Sequence, residues 1–124
     1  MFRSALLVAD ALRVVFLLPR VELRRFREGP GPLVDELRAR GRQSRCRSET
    51  ERADLQRVIG LVDRILPGKP SCYRRALLEI GLDAGAAEET LHMGIRVPGG
   101  PRSGHVWLGD RATPGIAYDA QFDI

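Results

Sequence analysis

Two residues in the second half of the chain have the types and the spacing that thiol chemistry requires. Cys72 lies in Pro70-Ser71-Cys72-Tyr73-Arg74-Arg75-Ala76, where a helix should begin, and His105 lies in Gly104-His105-Val106-Trp107, on a downstream strand. A cysteine nucleophile needs a base within hydrogen-bond reach and a third group that orients the base. A place in the first helical turn favours thiolate over thiol, because unpaired N–H groups and the positive end of the helix dipole face the sulfur. Arg74 and Arg75 add positive potential if either faces the site. The Cys72 backbone N–H is the natural oxyanion donor. For the third group the chain offers Asp110, Asp119 and Asp123. Asp110 sits in a turn, where a polar residue is expected anyway. Asp119 sits on the following strand, which antiparallel pairing would set beside His105, and it is the geometric choice.

The plainer readings are clear. A single Cys near a helix start is most often a small buried hydrophobe, and a single strand His is usually structural. What raises these residues above that background is their order: helix-Cys, strand-His, strand-Asp. Cys46, between Arg45 and Arg47, has no base partner and reads as incidental. His92 reads as a rim residue.

The elements that must position them follow from periodicity and punctuation. Residues 4 to about 18 read as a helix so apolar that its own domain must wrap it or a partner must share it. Pro19 ends or kinks it. A charged segment, Val21 to Glu28, leads into the break Gly29-Pro30-Gly31-Pro32. Pro32 opens a short helix over Leu33 to Arg40, ended by Gly41. Arg42 to Arg47 is a basic connection. Ser48-Glu49-Thr50-Glu51 has the form of a capping box, and Leu55, Val58, Ile59, Val62, Ile65 and Leu66 then recur at helical spacing. Pro67-Gly68-Lys69-Pro70 stops that helix, and Ser71 caps the next, which runs to about Ile80. Strands are expected over Thr90 to Val97, His105 to Leu108 and Ile116 to Phe122, with a turn at Gly109-Asp110. Helices first and a small antiparallel meander last define an α+β domain. One domain is expected over 1–124, with a helical part at 1–66 and the chemistry in 67–124.

Composition narrows the function classes. At 124 residues there is room for one modest core, and two cysteines supply no disulfide framework. With His92 and His105 as the only histidines, a closed zinc site of Cys and His would need all four residues in no recognised spacing, so no metal or cofactor is expected. Arg3, Asp10 and Arg13 interrupt the apolar N-terminus, so neither a membrane span nor a secretory signal is expected, and the cytoplasm is the default. The net charge of +4 rests almost wholly on arginines. They lack interleaved aromatics and any finger or RNP-type motif, so the charge reads as a solvated surface rather than a nucleic-acid site.

The same residues carry a resemblance. Cys72-Tyr73-Arg74-Arg75-Ala76-Leu77, then Met93-Gly94-Ile95-Arg96, then Gly104-His105-Val106-Trp107-Leu108 resembles the pattern of the transglutaminase-like cysteine proteases of lasso-peptide biosynthesis, the leader peptidases. It covers roughly residues 67 to 122. It implies a transglutaminase- or papain-like core with the Cys at a helix N-terminus, Cys72 as nucleophile, His105 as general base and Asp119 as the triad acid. It further implies a substrate, the precursor peptide, cut at the leader–core junction, and a separate leader-binding protein that delivers it. A macrolactam-forming cyclase would act on the freed core. Tyr73 stands where the family has an aliphatic residue, Gly104 where it has Ala, and Gly109 where Glu is common. Two other readings share the residues: an acyl-transfer or crosslinking enzyme of the same fold, and a non-enzymatic basic helical binding protein. An exposed apolar patch on the first helix is expected to meet the partner.

Overall fold

The computed structural model describes residues 2–66, 69–96, 103–109 and 120–124. Among them are five helices and a three-stranded antiparallel sheet, an α+β arrangement. The first helix, α1 (Phe2–Arg27), is one element of 26 residues and continues through Pro19. Pro19 does not end it, because the ring sits on the exposed side and frees only a carbonyl that water can reach. Val14, Leu17, Leu18 and Val21, buried on both sides of the proline, hold the two halves to one core.

Helix α2 (Pro30–Arg42) begins two residues before the expected start, with Pro30 in its first turn. Both prolines of Gly29-Pro30-Gly31-Pro32 fit there, since the first turn's N–H groups have no intrahelical partner to lose. Gly41 does not terminate α2. It is buried inside the helix, which continues to Arg42.

The capping box is present as expected. Ser48 Oγ accepts the Glu51 N–H, and Glu51 Oε1 accepts the Ser48 N–H, each at 3.2 Å, opening α3 (Glu49–Ile65). Those bonds hold the exposed Glu51 carboxyl below its usual range. Helix α4 (Cys72–Leu82) follows, and Asp83 then caps a short α5 (Ala84–Ala87) that periodicity alone does not signal.

Strands β1 (Leu91–Arg96), β2 (Ser103–Leu108) and β3 (Ala120–Asp123) pair in the order β2-β1-β3. The expected meander is therefore corrected: the last strand lies on the far side of β1, not beside β2. Past the end of β2 stands Gly109, whose φ of 59° glycine adopts readily. Leu91, Met93, Val106 and Leu108 pack with α1 to α4 into one hydrophobic cluster. Several arginines of the apparent basic surface are internal ties. Arg47 donates two bonds to buried Asp10 at 2.7 and 2.9 Å and one to the Leu82 carbonyl at 3.3 Å. Arg38 bonds the Glu89 and Ile124 carbonyls, and Arg52 lies 3.2 Å from Asp83.

Candidate active site

The start of α4 is held from three sides. Ser71 caps the helix, its hydroxyl accepting the Arg74 N–H at 3.2 Å and a bond from Arg25 of α1 at 3.0 Å. Asp63, buried near the end of α3, accepts the Ser71 N–H at 3.0 Å and Arg74 Nε at 2.6 Å. Arg74 reaches on to Glu22 of α1 at 3.3 Å. A helix leaves its first N–H groups without intrahelical acceptors. Here Ser71 N–H goes to Asp63 and Arg74 N–H to Ser71. Among the described residues those of Cys72 and Tyr73 have no acceptor, so two adjacent donors remain beside the thiol.

The structure also divides the two arginines after Cys72. Arg74 is buried in the Asp63 ion pair and is spent on architecture. Arg75 is half-exposed, lies 3.5 Å from Asp63 and lines the cleft that Cys72 opens into. Tyr73, the departure from the aliphatic pattern, packs on the core as an aliphatic would, and burial pushes its phenol above the usual range against the opposing charge of Arg25.

That cleft encloses about 250 Å³. Gln56 and Ile59 of α3 form one wall, Cys72, Arg75, Ala76 and Glu79 of α4 another, and His105, Val106, Trp107 and Leu108 of β2 the third. Cys72 and His105 are thus brought to one cavity. Gln56 enters the same cavity with its amide fixed, Nε2 donating to the buried Glu79 carboxylate at 2.6 Å. Sequence reasoning missed Gln56, whose spacing in α3 marks only a polar neighbour of the core stripe.

The third group is less simply placed. Asp119 and Asp110 lie outside the described residues. The described part of the last strand pairs with β1, so the expected pairing of that strand with His105's strand is not found. Asp123 stands opposite His92, which it meets at 2.6 Å. His92 stacks on Trp107, and Trp107 on His105, with ring centroids 5.3 and 5.7 Å apart. His92 therefore belongs to a row of stacked rings that leads to His105.

A comparison with protein-family models, curated proteins and solved structures finds no match. The site stands on its own geometry.

The Asp123–His92 pair makes one pH-dependent contribution. The hydrogen bond from His92, then that from Gln121, holds the exposed Asp123 carboxyl below its ordinary 3.8. A carboxyl lowered by folding contributes stability that is complete above its unfolded pKa and is lost as pH falls through the folded one. In an NMR titration the Asp123 carboxyl midpoint should lie below 3.8 and return toward it in His92→Ala. An unmoved midpoint would remove the bond from the account.

Among the described residues no group of three or more His, Cys, Asp or Glu could hold a metal ion, and no helix is long and apolar enough to cross a membrane.

Proposed function

We propose that the chain is a cysteine peptidase that removes the leader from a ribosomally made lasso-type precursor peptide in the cytoplasm. The observation that carries this reading is the shared cleft of Cys72, at the first position of α4, and His105 of β2. The Cys72 thiolate attacks the scissile carbonyl, and the oxyanion forms against the N–H groups of Cys72 and Tyr73. His105 protonates the departing amine, leaving a thioester. Water, deprotonated by His105, then hydrolyses the thioester and regenerates the thiol. Asp119 keeps the role of orienting acid that the resemblance gives it.

The partner reading rests on α1. Opposite its buried stripe, Val8, Leu12, Val15, Phe16, Leu23 and Phe26 are all more than half exposed, with both phenylalanines at 75%. Arg13, Arg20 and Arg27, one heptad apart, edge that stripe. Arg20 and Arg27 have no ion pair among the described residues. Antiparallel self-pairing would set this cationic row against its own copy, so the charge favours a different protein with an acidic rim. The leader-binding protein is the occupant proposed.

The test is incubation with a lasso-type precursor and the leader-binding protein encoded with it, read by mass spectrometry. Cleavage at the leader–core junction is expected, with Cys72→Ala slower by at least about 10⁴-fold. Asp119→Asn should lose activity where Asp123→Asn does not. An uncut precursor, or equal cutting by Cys72→Ala, sinks the peptidase. A product that keeps the summed mass less ammonia establishes crosslinking instead.

A further inference from the structure

The cleft lies along the outer edge of a sheet, and that edge has a definite hydrogen-bonding polarity. Gly109 N–H donates to the Thr90 carbonyl at 2.9 Å, and Leu91 and Ile124 exchange both backbone bonds at 2.8 Å. Antiparallel ladders alternate, so with the observed registers His92, Gly94 and Arg96 direct their backbone bonds to β2, while Leu91, Met93 and Ile95 direct theirs to β3. On β2 the inward-bonded residues are then Ser103, His105 and Trp107. Gly104, Val106 and Leu108 turn their N–H and C=O groups away from β1. Val106 and Leu108 both line the cleft that Cys72 opens into. Four consecutive β2 residues, from both faces of the strand, line it, which places the cavity at the strand's edge rather than over one face.

We infer that the substrate peptide binds as an added strand on the outer edge of β2, which no strand among the described residues pairs with, pairing its backbone with Val106 and Leu108 and bringing one of its carbonyls to Cys72. The inference rests on the peptidase reading for the identity of its ligand and goes further in assigning the recognition mode. Main-chain pairing supplies affinity with little dependence on sequence, and the side chains that alternate toward the helices supply selectivity. On that side stand Gln56, Arg75 and Glu79, so a polar or charged side chain adjoining the scissile bond is accommodated. His105 is fixed in this scheme by its inward bonds to β1, so pairing on the outer edge does not disturb the base.

Cys72 itself supplies a test that needs no catalysis. In a Cys46→Ser background, Cys72 is the single thiol. It is loaded by disulfide exchange with the peptide Thr-Val-Thr-Val-Cys, activated as its thiopyridyl disulfide, or capped with a methylthio group. Amide hydrogen exchange is then followed by NMR. The Val106 and Leu108 amides should exchange roughly tenfold slower with the peptide than with the small cap, while His105 and Trp107 stay unchanged. The same peptide N-methylated at both valines should lose that protection. Equal exchange in the two adducts overturns the inference. So does protection of Val106 and Leu108 in the free protein, which would mean that the chain's own residues cover the edge, and so does refusal of the peptide by Cys72. Protection without precursor cleavage keeps strand addition and sinks the peptidase; cleavage without protection does the reverse.

Discussion

Asp63→Ala is expected to cost about 3–5 kcal/mol, the range for removing one member of a buried ion pair. Asp63 is 1% exposed and Arg74 5%. The carboxylate answers Arg74 and also the Ser71 N–H, so its loss strands a guanidinium and a backbone donor together. Glu22 cannot take over, because at 3.3 Å it meets only the far end of Arg74 and is itself partly solvated. Against a total stability of about 5–15 kcal/mol, the variant should be largely unfolded well below the wild-type urea midpoint. Replacing both partners, as Asp63→Leu with Arg74→Met, should recover much of the loss, since an apolar pair of similar volume leaves no buried charge. A single-variant cost near that of a surface pair, under about 1 kcal/mol, would show that the pair is hydrated and does not fix the start of α4.

The start of α4 was legible because caps are local. Ser48 with Glu51, and Ser71 ahead of Cys72, each satisfy donors within three residues, so the sequence is enough to place them. The elements that carry Cys72 and His105 were legible for a related reason: the cap and the alternating pattern place one at a helix start and the other on a strand. The continuation of α1 past Pro19 was not, because the rule that a proline ends a helix ignores which side faces water. Strand order was not, because nothing within β3 states whether it pairs with β1 or β2. That one non-local choice sent Asp123 to His92 and removed the expected neighbour of His105's strand. Charge counting misled for a similar reason. Arg38, Arg47, Arg52 and Arg74 look like surface in a list of basic residues, yet each is hydrogen-bonded to or ion-paired with a group distant in sequence.

Gly41→Ala should destabilise the fold by about 3 kcal/mol or more, the upper end of what overpacking costs. The sequence reads this glycine as a helix stop, but it lies within α2 where that helix crosses α4. A methyl group there would overlap the Ile80 carbonyl oxygen and stand 2.9 Å from the Ala87 Cβ. The first obstacle is helical backbone and cannot rotate aside, so α2 would have to move off α4 as a unit. Gly81 makes the contrast. Its added methyl would meet only the ends of side chains, Leu17 at 2.8 Å and Leu37 at 3.1 Å, which can shift where backbone cannot, so Gly81→Ala should cost less. Gly60, within α3 and with nothing inside 4 Å of an added Cβ, should gain roughly 0.5–1 kcal/mol as alanine from helix propensity alone. Urea midpoints of the three variants should fall in the order Gly60→Ala above wild type, Gly81→Ala below it and Gly41→Ala lowest. If Gly41→Ala matched Gly81→Ala, the close approach of α2 to α4 would be refuted, because only a gap between those backbones could admit the methyl.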